Sequence, residues 1–273
     1  MSAGNRIRVA VLSVLGLIWL APVYLILVNA AKDQATYTST SAWMPAGLSG
    51  LVENLGIAWT RGNLGEGIAA TATYAIIAPV VSVLIGAAAG YAIVALRLRR
   101  GSFWLIVIFT ASVFPLQMLL SPLFVGYVEV GLYDTRIGMI LVYTVVNLSF
   151  SAFVMRNFFT GIAHNVFEAA VLDGASTWRI FARVYLPMAS SALVAVFILQ
   201  ATFIWNDLLL GLVLSQSDSV RPIVTSLAGM QSTYGGAQMS VVLAGGLLVS
   251  LPTVVLFLFT QKFFARGLAL GQY

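Results

Sequence analysis

Long apolar runs separated by short polar stretches dominate the chain. Six of them reach the roughly 20 residues that cross the hydrocarbon layer of a bilayer: about 8–30, 67–96, 103–128, 137–160, 189–213 and 239–262. Backbone groups facing lipid must bond within their own segment, and runs this long and continuously apolar are helices rather than barrel strands. The pattern predicts an all-α, polytopic membrane protein with six transmembrane helices. No polar stretch is long enough to bury a core of its own, so residues 1–273 are expected to form a single transmembrane domain.

Val28-Asn29-Ala30 would suit a signal peptidase, yet the apolar run from Val9 to Val28 is longer than the usual 7–15 residues of a signal core, which predicts a retained span. Residues 32–66 carry Trp43, Pro45, Gly47, Gly50, Gly62 and Gly65, turn chemistry that suggests an outer cap with few core residues. Within the spans, Gly86-Ala87-Ala88-Ala89-Gly90 and Gly245-Gly246 allow close helix approach in lipid. Pro115 and Pro122 would bend the third span, either lining a cavity or fitting the packing.

Composition supports the membrane reading: 60% of residues are hydrophobic and 8% charged, against about a quarter charged in soluble proteins. The net charge of +5 is spread between spans rather than gathered into a nucleic-acid patch. With the N-terminus in the cytoplasm, Arg6, Arg8, Arg97, Arg99, Arg100, Arg156, Arg179, Arg183, Lys262 and Arg266 lie inside. Only Lys32, Arg61, Arg136 and Arg221 lie outside, a positive-inside bias that places both termini in the cytoplasm. The chain has no cysteine, which excludes disulfides and thiolate chemistry. Its lone histidine, His164, has no cluster of ligands around it, so no metal or catalytic triad is expected. The two lysines, Lys32 and Lys262, sit in no Gly-rich phosphate loop, so any ATP must be handled by another polypeptide.

Residues 161–188 are too polar to span and too periodic for a plain loop. Up to Leu172, the side chains of Val166, Phe167, Ala170 and Val171 fall on one helical face, with His164 and Glu168 one turn apart on another. Asp173-Gly174 supplies a turn. A second helix follows, with Trp178, Phe181, Ala182 and Tyr185 on one face and Arg179 and Arg183 facing away. Pro187 should break or kink the chain where the fifth span begins. Periodicity alone fits a helix-turn-helix that docks a protein and equally one that rests on lipid headgroups.

Glu168-Ala169-Ala170, Gly174 and Val184-Tyr185-Leu186-Pro187 resemble the EAA loop of ABC importer permeases. Around them, Pro115, Gln117 and Pro122, Arg156-Asn157-Phe158-Phe159, Asp173-Gly174-Ala175-Ser176 and Trp205-Asn206-Asp207 look like the MalG-type permeases of the carbohydrate-uptake ABC family. The resemblance runs from about Gly90 to Gly267. It implies that residues 163–185 form a coupling helix seated in a groove of an ATPase subunit, with Glu168, Ala169, Ala170 and Gly174 at its centre. Asp173, Ala175, Arg179, Leu186 and Pro187 belong to the same docking set. The sequence departs from the family at Ala163, where proline is common, and at Val184, where isoleucine is usual. It also lacks the common basic, Gly-rich tail after Arg266.

A solute path needs polar groups inside the spans and flat apolar rings. Tyr143, Thr144, Asn147 and Ser151 form a stripe in the fourth span; Gln200, Phe203, Asn206 and Asp207 form one in the fifth, and Gln117 adds an amide in the third. The same groups would equally serve to hold helices together. The resemblance implies a permease subunit that imports a di- or oligosaccharide by alternating access and carries no cofactor itself. Its implied partners are a second homologous permease, two ATPase subunits holding ATP and magnesium, and an extracytoplasmic binding protein, all at a bacterial or archaeal cytoplasmic membrane. Import of a polyol, glycerol phosphate or another solute by the same machinery is the nearest alternative. An ion-gradient-driven secondary transporter would need internal repeats and ionisable midplane groups, for which the sequence shows no convincing repeat.

Overall fold

The computed structural model describes residues 3–231 and 238–270, with side chains for 4–110, 112–231 and 238–260. Lys262, Arg266 and the tail 266–273 therefore fall wholly or in their side chains outside the described residues. No strand occurs among the described residues. In chain order the helices are α1 (Ala3–Ala30), α2 (Gln34–Ser39), α3 (Ser49–Arg61), α4 (Leu64–Val94), α5 (Gly101–Val113), α6 (Leu116–Glu129) and α7 (Arg136–Thr160). Then come α8 (His164–Leu172), α9 (Thr177–Ile180), a π-helical turn (Phe181–Tyr185), α10 (Leu186–Met188) and α11 (Ser190–Trp205). Last are α12 (Leu209–Leu214), α13 (Ile223–Met230) and α14 (Met239–Leu270).

Among the described residues, four helices are long and apolar enough to cross a membrane alone: Gly4–Ala30, Leu64–Val94, Arg136–Thr160 and Met239–Thr260. The third and fifth expected spans are not continuous. The third is α5 followed by α6, interrupted at Phe114, which is extended (φ −69°, ψ 129°) ahead of Pro115. A residue before proline is driven out of the α region, and proline itself lacks the N–H that would continue the ladder. The fifth expected span stops at Trp205, short of residue 213. There the Asp207 carboxylate accepts the N–H groups of Leu210 and Gly211 at 3.1 and 3.2 Å, starting the separate helix α12.

The chain packs as two compact units. One comprises Met1–Gly65 with Ser226–Val254. In it, the expected cap is more ordered than its turn residues suggest. Lys32, only 1% exposed, donates to the Asn29 side chain at 3.1 Å and the Ser41 carbonyl at 2.8 Å. Buried Asn54 in α3 donates to the Ala30 and Lys32 carbonyls at 2.8 and 2.9 Å, tying α3 to the end of α1. These bonds answer why α3 forms despite Gly50 and Gly56: its buried Asn54 side chain satisfies carbonyls where α1 ends, with Ala58 buried on the same face.

The other unit is Glu66–Thr225 with Val255–Tyr273. Its helices α4 and α7 pack backbone to backbone. A side chain on Gly86 would collide with Ser151, and a Cβ on Gly90 would lie 2.7 Å from the Arg156 nitrogen, so the Gly-x-x-x-Gly spacing serves packing within the chain. One core cluster gathers Tyr74, Met139, Tyr143, Ile204, Leu210 and Leu214. A second gathers Tyr91, Met155, Phe159, Ile180, Phe181 and Tyr185. The loop between α6 and α7 is clasped to the segment after α12: Asp134 accepts the Gln216 and Ser217 N–H groups at 2.8 and 2.9 Å and the Ser217 hydroxyl. Burial works to raise the Asp134 carboxyl, but the Ser217 hydroxyl and the two N–H groups outweigh it and hold it below the usual carboxylate range.

Candidate functional site

The segment 161–188 is a helix-turn-helix. α8 ends in a paired reverse turn: Gly174 at φ +76° lets its N–H reach the Val171 carbonyl (2.9 Å) and the Ala175 N–H reach that of Ala170 (3.0 Å). The Ser176 side chain then caps α9 by accepting the Arg179 N–H. The inner face is an aromatic cluster in which Tyr91 lies 5.1 Å from Phe181 and 4.9 Å from Tyr185, with Phe159 5.4 Å from Tyr185. Each such pair adds about 0.5–1.5 kcal/mol beyond burial. The Tyr91 hydroxyl also donates to the Thr177 carbonyl at 3.0 Å, fastening the second half of the segment to α4.

The residues singled out from the sequence divide cleanly on this scaffold. Ala170, Ala175 and Leu186 are half-buried against the cluster, while Glu168, Ala169, Asp173, Gly174, Arg179 and Pro187 are exposed. Large apolar side chains share the exposed side, above all Leu172 at 87% and Trp178 at 71%, and Val171, expected on the apolar face, is exposed as well. Trp178 was expected on the inner face with Phe181, Ala182 and Tyr185; instead Ile180 is buried and Trp178 only flanks Phe181 at 5.4 Å. The cause is the π turn at Phe181–Tyr185, whose wider turn shifts the phase from the 3.6-residue period. The expected break at Pro187 takes the form of a 75° bend between Thr177–Met188 and Ser190–Trp205.

The polar stripes of α7 and α11 meet. Gln200 donates to the Asn147 carbonyl at 3.0 Å and to the Ser151 hydroxyl, which is 2.9 Å from that of Ser82. Asn147 donates to the Tyr143 carbonyl at 2.8 Å, and the buried Tyr143 hydroxyl donates to Asp207 at 3.0 Å. The Gln200 side-chain oxygen is buried and has no partner. Beside this network the break in the third span opens a concavity of about 480 Å³. Asn147, Gln200 and Phe203 line it together with Ser112, Ser149 and Phe114.

The remaining residues of the two stripes are placed otherwise. Ser151 lies fully buried in the network, Tyr143 and Asp207 form a buried hydrogen-bonded pair, and Thr144 bonds back to the Ile140 carbonyl at 2.7 Å. Asn206 is exposed and donates to Thr202 in its own helix at 2.8 Å; Gln117 is exposed on α6 and does not line the concavity. Sequence reading missed Ser82, Ser112 and Ser149. Serine within an apolar run so often bonds back to its own helix that the residue alone carries no signal.

Residues 82–268 match the family described as binding-protein-dependent transport system inner membrane component. A probable ABC transporter permease protein of Pyrococcus horikoshii is 33% identical over 184 residues, which are 67% of this chain and 66% of that one. The diacetylchitobiose uptake system permease protein of Streptomyces coelicolor is 32% identical over 218 residues, 80% of this chain and 71% of its own. A solved chain from a bacterial ABC transporter involved in the import of the acidic polysaccharide alginate shares the fold, with a TM-score of 0.81 and 23% identity over 97% of this chain and 99% of that one.

Proposed function

This chain belongs to the family of binding-protein-dependent transport system inner membrane components, and from that premise we propose that it is the permease subunit of an importer for a di- or oligosaccharide. As a member it is a multi-pass membrane protein that works with ATPase and solute-binding partners. The proposed assembly pairs it with a second, homologous permease and two ATPases that hold ATP and magnesium. Both termini lie in the cytoplasm, as the distribution of Arg and Lys favours.

The observation that carries the carbohydrate reading is the concavity of about 480 Å³. Its Asn147, Gln200, Ser112 and Ser149 offer partners for hydroxyls, and Phe114 and Phe203 offer rings for the C–H faces of a sugar. A relative that takes up diacetylchitobiose supports the same class. Gln200 is the residue of greatest interest, since an unpaired buried acceptor costs about 1–3 kcal/mol and a second conformation in which it meets a donor relieves that cost.

Residues 163–185 form the coupling element, with Glu168, Ala169, Ala170, Asp173, Gly174, Ala175, Arg179, Leu186 and Pro187 as the ATPase-docking set. The exposed Leu172 and Trp178 extend its contact face. ATP-driven closure of the ATPases moves this element and, through the Tyr91–Thr177 bond and the aromatic cluster, α4 and α7. A shift between inward- and outward-open states follows only if the closed ATPases bind one of them more tightly.

The test is ATPase activity of the reconstituted complex with its binding protein, across a panel of oligosaccharides, polyols and glycerol 3-phosphate. Stimulation by an oligosaccharide is expected. In Gln200→Ala the half-saturating sugar concentration should rise about tenfold, the equivalent of roughly 1.4 kcal/mol, with basal activity kept. Stimulation by glycerol 3-phosphate alone would overturn the carbohydrate reading.

A further inference from the structure

In the unit that holds α4, α5 and α7, the ends of these helices flank an open depression of about 340 Å³. Ile93 and Val94 form its apolar floor; Arg97, Ser102, Arg156 and Thr160 supply its polar wall. The close approach at Gly90 fixes the backbone of Arg156 against α4. One guanidinium nitrogen of Arg156 donates to the Asn157 side chain at 3.1 Å, whereas its Nε is shut off from solvent with no partner. Gly101 and Ser102 begin α5, where the Gly101 N–H is taken by the Leu98 carbonyl at 2.8 Å and the cap residue, Arg100, makes no side-chain cap bond.

Among the described residues no carboxylate pairs with the two arginines. The sequence holds no Asp or Glu between Glu66 and Glu129, nor between Asp134 and Glu168. Arg97 is exposed and Arg156 half-buried, and two guanidinium groups this close with no counter-charge suit an anion from outside the chain. Around the cavity, exposed Leu96, Leu98, Phe103 and Trp104 make an apolar and aromatic rim of the kind found at the membrane–water interface.

We propose that this cavity binds the phosphodiester headgroup of an anionic membrane lipid. Arg97, Arg156 and the Ser102 hydroxyl donate to the phosphate oxygens, and the acyl chains lie along Leu98, Phe103 and Trp104. A free phosphate shares the headgroup chemistry but gains nothing from that apolar rim. Assignment to the cytoplasmic leaflet rests on the orientation proposed above; the headgroup chemistry does not. Thr160 lies four residues before His164, so a bound lipid braces the end of α7 where the chain enters the coupling element.

The test uses the full chain, delipidated in mild detergent and titrated with phosphatidylglycerol, phosphatidylcholine or inorganic phosphate, with adducts read by native mass spectrometry. Phosphatidylglycerol should be retained in preference to phosphatidylcholine, and its retention should fall about fivefold in Arg97→Gln and in Arg156→Gln. Arg99→Gln, which removes the same charge from a neighbour outside the cavity, should retain it as the wild type does. Equal retention of the two lipids, undiminished retention in Arg97→Gln, or an equal loss in Arg99→Gln overturns the proposal. Complete displacement by inorganic phosphate at matched concentration also overturns it, in favour of a free-phosphate site. Should Arg156→Gln fail to fold, Arg97→Gln alone decides. Because lipid retention is read without ATPase or sugar, its failure is distinct from a failure of the transport reading.

Discussion

Single side chains set the local geometry on which the function depends. Lys32 is buried among neutral oxygens, and its two bonds, to Asn29 and Ser41, join the end of α1 to the cap. Hydrogen bonds to charged groups are worth about 1.5–3 kcal/mol each, less the desolvation of the ammonium. Lys32→Ala should therefore lower stability by about 2 kcal/mol, read as a lower midpoint in thermal unfolding; an unchanged midpoint would show the bonds to be incidental. Gly174 poses a different question, because a Cβ there meets nothing within 4 Å and only its φ of +76° constrains it. Asparagine tolerates that backbone. Gly174→Asn should unfold within about 0.5 kcal/mol of wild type yet hold the ATPase less well, since the added side chain fills the room left for the partner. Normal ATPase retention by this variant would confine the role of Gly174 to the turn itself.

At the scale of elements, the outer clasp provides a test by pH. The Asp134 carboxyl is held below its ordinary value, so its contribution is fully present above the unfolded value of about 3.9 and is lost as pH falls through the native one. Asp134→Asn should be less stable than wild type at pH 7, and the gap should close as pH falls below the native value of Asp134, measured by thermal unfolding in detergent. A gap that stays the same as pH falls would contradict the role of the carboxylate. Such clasps were invisible in the sequence, where Asp134 and Ser217 lie far apart in two unrelated loops. Hydropathy located the helices, because twenty apolar residues in lipid admit few other structures. The proline at 115 signalled the break in the third span, whereas Pro122 lies inside α6 without ending it, and nothing in the hydropathy showed that the Asp207 carboxylate would start a new helix after Trp205. The phase shift at Phe181–Tyr185 escaped for a related reason: a face drawn at 3.6 residues per turn assumes that no turn is wider. In the candidate solute site, Asn147, Gln200 and Phe203 were legible as a polar and aromatic stripe, whereas the bonding that turns Tyr143 and Asp207 inward was not.

For the whole molecule, family membership, helices apolar enough for a bilayer and an exposed helix-turn-helix describe a subunit that is incomplete alone. Leu172 and Trp178 stand exposed on an element whose other side packs on the aromatic cluster, and the proposed occupant of that face is an ATPase. The rival occupant, the headgroup layer, would need no shape at Gly174 and no acidic residue at 168. Co-purification from detergent with a candidate ABC ATPase, comparing the wild type with Glu168→Lys and Gly174→Asp, is the most direct measurement of the central claim. The wild type should retain the ATPase and both variants should lose it or uncouple its stimulation by loaded binding protein; an ATPase that never binds, or that binds and responds equally in all three, would contradict the assignment of residues 163–185 to coupling.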